Sequence, residues 1–426
     1  SSFGAIEIPA GTYDFVLFNS KVSRSGNLLT VTRANAGDAL IGRTTGKVIP
    51  ASPYNQLVTF TMKHVAAKVK VKLTGYMPAT GVTATLASVN ATDVPSSSVY
   101  DALTGTWSLG TGAATSDALT YGVSQQSPII PGVGRTYTAN STEDAFFMPS
   151  TDVSKLKLSF TAGNIYNLNV AGKSLTFAPK TPLQLDQNGS YVLNINLMYR
   201  FLYLMSDGST GFIEKTTFGG APAATAKTPI AVVISQSKHM AVALKTANNG
   251  ALMGWCDNDY YSTRANTYSY PTRAAAAAGP SGFEETWNAA YSKVGVKANN
   301  GYYYAFYAAA HYDPGITYTG TPALQWYLPS MSDWAVAHEV LGFGDKSVFA
   351  TTGTWYTGLF SSAFIQVGAN ITPDGGAMAL GFWTSTEATS ISHIFGVYIA
   401  GNNFSSRTFS KSATVDKKRV LPFVKY

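Results

Sequence analysis

The segment Lys68-Val69-Lys70-Val71-Lys72-Leu73 decides how the first half of the chain is expected to fold. Lysine alternates there with an aliphatic residue, and successive side chains of a β-strand point to opposite faces of the sheet. The lysines therefore line one face of the predicted strand, and the aliphatic residues line the other. Nucleic-acid sites gather their charge on one footprint, whereas these lysines suit a solvated sheet face. The pattern predicts a half-buried strand and no nucleic-acid partner.

Short strands are predicted throughout residues 1–200. Alternating or β-rich runs recur there between turn signals such as Pro131-Gly132 and Asn188-Gly189. The runs are Thr12–Phe18, Leu28–Val31, Leu57–Leu73, Lys155–Phe160, Ile165–Val170 and Tyr191–Leu197. No helical period is evident, so this half is predicted to fold as a β-sandwich.

Two helices are predicted after Asn196. Ser281 is a candidate N-cap with Glu284 three residues later, and the apolar positions up to Tyr291 fall on one helix face. Ser330 is the candidate cap of a second helix, with Gly342 as its stop signal. Two helices among strands and loops predict an α+β domain, so the chain as a whole is expected to be mainly β.

The composition favours an exported protein over a cytosolic one. Only 12% of the 426 residues are charged, against about 25% in ordinary domains. The net charge of +7 is scattered along the chain, and 45% apolar residues exclude a disordered protein. No run reaches the roughly 18 apolar residues of a membrane helix, so no membrane-spanning segment is expected.

No cofactor is expected. Cys256 is the only cysteine, which excludes an intramolecular disulfide, and its apolar surroundings predict a buried thiol without a neighbouring cation. The five histidines are dispersed without metal-ligand spacing. Asp257-Asn258-Asp259 begins like a calcium loop, but Ser262 stands where the turn glycine is needed, so no metal is predicted.

Two stretches of the N-terminal half carry a resemblance to a known family. Ile8–Phe15 is followed by Val58–Val69, which contains the phrase Phe-x-x-x-His-x-x-Ala-Lys. Together they resemble the fimbrillin-like family, the type V pilins of Bacteroides-type bacteria. The resemblance implies an exported, lipidated protein with two transthyretin-like β-sandwiches. Residues 1–55 would form part of the first sandwich, and residues 56–200 would form the second.

The short stretch before His64 predicts an incomplete first sandwich. Too few strands precede that residue to close a sheet, and an unpaired sheet edge can accept an extended peptide. Neighbouring pilin subunits are therefore the expected partners, by strand addition.

Three stretches of the C-terminal half, Trp326–Trp334, Gly381–Glu387 and Lys417–Phe423, carry a second resemblance. They are similar to bacterial C-type-lectin-like domains related to the formylglycine-generating-enzyme fold. This resemblance covers residues 201–426 and implies an α+β domain whose loops bind a ligand. Enzymes of that type need two active-site cysteines, which Cys256 alone cannot supply, so no enzyme is expected. The calcium-dependent sugar-binding motifs are also missing from the sequence, which leaves both protein and glycan ligands open.

The two resemblances together imply a secreted cell-surface adhesin. The expected protein is a pilus tip subunit, in a fimbrium attached to the outer membrane, whose lectin-like domain binds a host or bacterial ligand. A structural stalk subunit and a formylglycine-generating-type enzyme are the alternatives.

Five residues are predicted to contact the ligand. Residues 351–376 are expected to contact the ligand, helped by the tyrosine-rich loop of residues 259–270; within the first segment, Thr351–Gly358 combines large aromatic residues with glycines and hydroxyls, a mixture typical of recognition loops. The predicted contacts are Trp355, Tyr356, Asp374, Tyr260 and Tyr261. As alternatives, Trp355 and Tyr356 pack onto the core and Asp374 serves a turn.

Overall fold

A computed structural model of the chain describes residues 5–53, 55–112, 116–342, 355–356, 358–369, 371, 380–400 and 403–426. The chain divides into two compact units. The first comprises residues 1–74, 78–125 and 138–196, and the second comprises residues 75–77, 126–137 and 197–426. The finer division into residues 1–55, 56–200 and 201–426 stays a prediction.

The N-terminal part of the chain is built almost entirely from strands. They are β1 (Gly11–Phe18), β2 (Ser23–Ser25), β3 (Leu28–Thr32), β4 (Leu40–Ile49), β5 (Lys63–His64), β6 (Ala67–Gly75), β7 (Thr80–Ser88), β8 (Ser97–Asp101), β9 (Thr106–Leu109), β10 (Asp117–Thr120), β11 (Gln125–Gln126), β12 (Tyr137–Asn140), β13 (Ala145–Phe147), β14 (Leu156–Ile165), β15 (Leu168–Asn169), β16 (Ser174–Thr176) and β17 (Ser190–Leu197). Their sheets have the orders β1-β4-β5, β2-β3-β8-β9, β10-β7-β14-β15 with β16 on β14, and β11-β12-β6-β13 with β17 on β6. A short helix, α1 (Arg33–Ala36), and a 3₁₀ turn at Val153–Lys155 interrupt the strands.

Strand β6 has the alternation that its sequence predicts. The alanine, valine and leucine side chains from Ala67 to Leu73 are buried, and the lysines between them are exposed or half-buried. The ammonium groups of Lys68 and Lys70 lie 3.2 and 3.5 Å from the carboxylate of Asp144. The prediction of a half-buried strand is confirmed, and part of its positive charge is balanced within the fold.

Three features of the first unit differ from the sequence prediction. The predicted strand Ile165–Val170 is a hairpin, in which Ile165 of β14 pairs with Leu168 of β15 across a turn. The expected strand Leu57–Leu73 is divided into β5 and β6, and residues 55–62 form no strand. Strand β5 pairs with β4 only at Leu40 and Ile41, so the residues before Lys63 form no ladder with β4. Helix α1 was not predicted either, and its Ala36 is buried within a core cluster that includes Val31.

The second unit combines two sheets with helices. Its strands are β18 (Leu202–Met205), β19 (Thr210–Phe212), β20 (Pro229–Ser235), β21 (Met240–Ala243), β22 (Gln325–Tyr327), β23 (Trp355–Tyr356), β24 (Leu380–Glu387), β25 (His393–Ala400), β26 (Asn403–Ser410) and β27 (Phe423–Lys425). The sheet orders are β19-β18-β20-β21-β27-β22 and β23-β26-β25-β24. The chain is therefore mainly β, as predicted.

The helices of the second unit are α2 (Arg273–Ala277), α3 (Gly282–Trp287), α4 (Tyr304–Ala310), α5 (Met331–Gly342) and α6 (Gly358–Ile365). Short 3₁₀ turns lie at Ile213–Lys215, Thr217–Gly219, Ala247–Gly250, Ala289–Tyr291 and Lys297–Asn299. Helices α3 and α5 confirm the two predicted helices, although α3 ends at Trp287 and the predicted continuation to Tyr291 is a separate 3₁₀ turn. Helices α2, α4 and α6 correct the expectation that everything else is loop or strand. None of the helices in the described ranges is both long and apolar enough to cross a membrane.

The starts of α3 and α5 share one buried carboxylate, that of Asp333. It accepts hydrogen bonds from the backbone N–H of Gly282 at 2.7 Å and of Ser330 at 2.9 Å, and from the Ser281 hydroxyl at 2.9 Å. The Ser281 hydroxyl in turn accepts from the N–H of Phe283, so it caps α3 as predicted. Desolvation raises the pKa of Asp333, although these hydrogen bonds oppose the rise. One side chain therefore fixes two helix starts relative to each other.

Candidate functional site

The structure describes two of the five predicted contact residues in full, two by their backbone only, and one not at all. Tyr260 and Tyr261 lie in the described loop before α2, and Tyr261 is 39% exposed. Trp355 and Tyr356 form strand β23 and pair with Phe404 and Asn403 of β26. The described part of the chain excludes the side chains of Trp355 and Tyr356 and all of Asp374. Only Tyr260 and Tyr261 are therefore placed in full.

Tyr260 packs against a second aromatic loop. Its ring centroid lies 5.2 Å from that of Tyr302 and 5.9 Å from that of Tyr303. Tyr302 is 57% exposed, whereas Tyr303 is buried beneath it. Tyr302 was not among the predicted contacts, although the run Gly301-Tyr302-Tyr303-Tyr304 was a visible signal in the sequence.

Asp257 holds these two loops together. Its backbone N–H donates to the Tyr302 carbonyl at 2.8 Å, and its carboxylate accepts from the Asp259 N–H at 3.0 Å and from the Tyr304 hydroxyl. The Asp259 N–H, followed by the Tyr304 hydroxyl, lowers the pKa of Asp257. The same carboxylate raises the pKa of Tyr304 to about 12. Tyr304 therefore stays protonated at neutral pH, and its hydroxyl donates a hydrogen bond to the Asp257 carboxylate.

Asn258 extends this turn to a third segment. Its side-chain oxygen accepts from the Ser412 hydroxyl at 3.1 Å and from the Ala413 N–H at 3.0 Å. Asp257-Asn258-Asp259 thus works as a hydrogen-bonded turn. Among the described residues, no group of three or more His, Cys, Asp or Glu side chains could hold a metal ion.

Helix α4 continues the aromatic surface. Tyr304, Tyr307 and His311 are three and four residues apart, so they fall on one side of the helix. The rings of Tyr307 and His311 stack at 4.0 Å, and Tyr307 is 42% exposed. We call Tyr260, Tyr261, Tyr302, Tyr304 and Tyr307 the tyrosine surface. It offers aromatic area beside hydroxyl groups.

A buried charge network lies behind the loop that carries Tyr260 and Tyr261. The carboxylate of Glu387 lies 2.7 Å from the Lys411 ammonium, and neither side chain is exposed. Glu387 also accepts from the backbone N–H of Ala265 at 3.2 Å and of Asn266 at 2.9 Å. Strand β24 thereby fixes the end of that loop.

Glu285 of α3 is a second carboxylate in this network. It accepts from the Asn266 side-chain amide at 3.0 Å and from the Ser385 hydroxyl at 2.5 Å. Desolvation raises the pKa of Glu285 and lowers the pKa of the buried Lys297, while their mutual attraction opposes both shifts. This network was not predicted, because its members are far apart along the chain.

Cys256 is buried, as predicted, but its surroundings differ from the prediction. Desolvation raises the pKa of its thiol to about 12. The expectation that no cation lies nearby was wrong, since the Lys411 charge opposes this rise. Burial outweighs the cation, so the thiol stays protonated and unreactive at neutral pH.

Comparison with known proteins relates the N-terminal region to a protein family. Residues 19–210, less than half of the chain, match the fimbrillin-like family. The resemblance seen in Val58–Val69 is thereby confirmed for this region. No curated protein matches the chain.

Several solved Bacteroides structures are distantly similar. A proposed cell adhesion protein of Bacteroides uniformis is 16% identical over 44% of this chain and 69% of its own, with a TM-score of 0.28. A fimbrial protein of Bacteroides ovatus is 13% identical over 91% of this chain and 76% of its own, with a TM-score of 0.24. A fimbrial protein of Bacteroides vulgatus is 16% identical over 42% of this chain and 68% of its own, with a TM-score of 0.24. TM-scores this low do not define a shared fold.

Proposed function

We propose that this protein is a pilus-associated cell-surface adhesin whose second unit binds its ligand through the tyrosine surface. The observation that carries the proposal is the fimbrillin-like match of residues 19–210 in a chain that continues into a second, compact unit. The fimbrillin-like region joins neighbouring pilin subunits, and loops of the second unit bind the ligand. This arrangement suits a tip subunit of a fimbrium attached to the outer membrane.

The tyrosine surface suits ligand recognition on physical grounds. Tyr261, Tyr302 and Tyr307 expose 39%, 57% and 42% of their area, although large aromatic side chains normally bury themselves. Tyrosine gives flat contact area with little loss of side-chain freedom, and its hydroxyl adapts to polar partners. Asp257 fixes the two loops before any ligand arrives, which lowers the entropic cost of binding. The ligand class is a protein or a glycan.

The second unit is proposed to be a C-type-lectin-like domain that binds without catalysing a reaction. The segments Trp326–Trp334 and Gly381–Glu387 support this fold through their resemblance. The single thiol, Cys256, is buried with a pKa raised to about 12, which argues against an enzyme that depends on reactive cysteines. We therefore favour adhesion over a formylglycine-generating-type reaction.

A paired substitution on the tyrosine surface tests the adhesin proposal. Tyr260→Ala with Tyr302→Ala removes the two stacked rings, and we expect it to abolish binding to host cells and to glycan arrays. The matched control is Tyr268→Ala, which removes a 51% exposed tyrosine that packs on Tyr291 instead. Wild-type melting curves for both variants would show that the fold is intact. Unchanged binding by the paired variant would move the ligand site elsewhere, and a protein that assembles into pili but binds nothing would favour the stalk alternative.

We also propose that the edge of β1 accepts a strand from a neighbouring pilin subunit. Among the described residues, the eight-residue β1 pairs only with β4 and leaves its other edge open. Open edges of that length invite strand addition, which supplies main-chain hydrogen bonds. Peptides copied from the termini of candidate partner pilins should raise the melting temperature of the protein. A Tyr13→Pro variant should lose that response, and a peptide that stabilises both proteins equally would refute pairing at β1.

A further inference from the structure

A cavity of about 470 Å³ lies in the second unit, lined by the start of α5, the end of α2 and residues of strands β21 and β27. Volumes of about 300–1,000 Å³ are typical of pockets that hold small molecules. The residues that line this cavity include none of the tyrosine surface. The cavity is therefore a separate candidate site, with room for a small ligand.

Two lysines at this cavity have no anionic partner. Lys425 of β27 pairs with Met240 of β21, and such cross-strand partners lie on the same face of a sheet. Lys238 is exposed in the turn just before Met240. Among the described residues, neither ammonium group makes a hydrogen bond or an ion pair. Lys425 Nζ lies 4.0 Å from the ring centroid of Phe283, and such a ring attracts a cation without supplying a counter-charge.

The carboxylate that lines the cavity does not neutralise these lysines. Asp333 is 1% exposed, and its oxygens accept from the backbone N–H groups of Gly282 and Ser330 and from the Ser281 hydroxyl. Its charge is therefore held by groups at the two helix starts. A cleft lined by cations without counter-charges attracts anions. The two lysines thus favour an anionic ligand.

The rest of the lining combines an apolar wall with a hydroxyl group. Met240, Ala335 and Val336 are buried and form part of the wall. The half-buried Ser332 hydroxyl donates to the Pro280 carbonyl at 3.0 Å, so its oxygen is left to accept hydrogen bonds. A sugar ring has an apolar face and hydroxyl donors at its edge, which match these two features.

We propose that this cavity binds an acidic sugar, in which Lys238 and Lys425 bind the carboxylate and Ser332 accepts from a ring hydroxyl. Hydrogen bonds between ammonium and carboxylate groups are charge-assisted and about twice as strong as neutral ones. A neutral sugar lacks this attraction, and a simple carboxylate lacks the ring that covers the apolar wall. Charge and shape together therefore define the ligand class.

This inference goes beyond the proposed adhesive contact and does not depend on it. The cavity and the tyrosine surface share no residue, so the two sites are separable by mutation. Tyr260→Ala with Tyr302→Ala should leave the binding of acidic sugars unchanged. If that paired variant loses acidic-sugar binding while its melting curve is intact, the sugar binds at the tyrosine surface and the cavity proposal is overturned.

Isothermal titration calorimetry of the 426-residue chain with sodium glucuronate tests the proposal. We expect saturable binding that weakens as the salt concentration rises, because salt screens the lysine charges. Glucose and sodium acetate should not bind at the same concentrations. The proposal is overturned if millimolar glucuronate shows no saturable binding, or if glucose or acetate binds equally well. Tighter binding of a tetraglutamate peptide would reassign the cavity to acidic peptides and would also overturn it.

Four substitutions locate the binding site. Lys238→Gln and Lys425→Gln should each weaken glucuronate binding at least about tenfold, because each removes a hydrogen bond between charged groups. The matched control Lys293→Gln, at an exposed lysine outside the cavity, should keep wild-type affinity. Ala278→Trp puts a large side chain into the lining without removing a charge and should abolish binding. Wild-type affinity in Lys238→Gln or in Ala278→Trp would refute the site, even if Lys425→Gln fails to fold.

Discussion

Replacing Glu387 with glutamine should destabilise the second unit more than any exposed charge substitution. Glutamine keeps the shape of the side chain but has one acceptor oxygen instead of two, so it can accept from the backbone N–H of Ala265 or of Asn266, which donate to different carboxylate oxygens, but not from both. It removes the negative charge that lies 2.7 Å from the Lys411 ammonium, in a pair whose two side chains are fully buried. The variant therefore leaves a cation inside the protein without its counter-charge.

The expected loss of unfolding free energy in Glu387→Gln follows from the burial of the Glu387–Lys411 pair. Removing one partner of a buried ion pair costs about 3–5 kcal/mol of unfolding free energy. Each kcal/mol lowers the melting temperature of a domain of 150–250 residues by roughly 2–4 °C, so we expect a fall of about 6–20 °C. Lys411 keeps its hydrogen bond to the Thr263 carbonyl and its position 5.4 Å from the Trp255 ring, which favours the lower end of that range.

Tryptophan fluorescence during urea unfolding measures this loss. Trp107 is the only one of the seven tryptophans that lies in the first unit, so the signal follows the second. Glu387→Gln, Lys411→Met and the double variant complete a double-mutant cycle. The double variant should be more stable than Glu387→Gln, because it leaves no unpaired charge.

An exposed ion pair at a similar distance supplies the control. Arg200 and Glu214 lie 2.9 Å apart, with side chains that are 61% and 56% exposed. Glu214→Gln should cost less than about 1 kcal/mol, because water screens such pairs. If Glu387→Gln costs no more than Glu214→Gln, the argument that burial magnifies the Glu387–Lys411 interaction is refuted.

Three further predictions concern single groups. Hydrogen bonds from Thr120 lower the pKa of the exposed Glu143 from its ordinary 4.5 to about 2. The contribution of Glu143 to stability is therefore present above pH 4.5 and is lost as the pH falls toward 2. Acid unfolding of Glu143→Gln should lack this component, and acid unfolding profiles identical to those of the wild type would contradict it. The thiol of Cys256, with its pKa raised to about 12, should not react with DTNB in the native protein and should react fully in urea, whereas rapid native labelling would show that it is accessible. Asp333→Ala leaves the buried N–H groups of Gly282 and Ser330 without an acceptor, at about 1–3 kcal/mol each, and a urea midpoint equal to wild type would disprove the shared cap.

The sequence predicts those elements whose determinants are local. The alternation in β6 and the N-caps of α3 and α5 each occupy a few consecutive residues, and the structure contains all three. Helices α2, α4 and α6 are only five, seven and eight residues long. Length alone does not separate them from α3, which has six residues; α3 and α5 carry acidic residues in their first turns, whereas α2, α4 and α6 carry none and depend on tertiary packing that a local pattern does not reveal. The absence of a strand at residues 55–62 has the same origin, because strand formation there depends on a distant partner.

The candidate site shows the same limit. Composition alone suggests the loop with Tyr260 and Tyr261 as a candidate, because tyrosines beside hydroxyl residues are typical of recognition loops, and its role in binding stays a prediction. The partner of that loop could not be deduced, since Tyr302 is some forty residues away and meets Tyr260 only through the turn at Asp257. Whether Trp355 and Tyr356 contribute to the site stays a prediction.

The buried charges explain how a chain so poor in charge fixes its long loops. Loops lack regular backbone pairing, so their N–H groups need other acceptors when they are buried. Glu387 and Asp333 provide such acceptors: Glu387 receives two backbone N–H groups from distant residues, and Asp333 receives one from the distant Gly282 and one from the neighbouring Ser330. An ionised carboxylate accepts several such bonds more strongly than a neutral group does, which offsets the cost of burying it. Lys411 balances Glu387, whereas no hydrogen bond from the described residues satisfies Lys297. That difference between two buried lysines depends on contacts between residues far apart along the chain, which the sequence does not reveal.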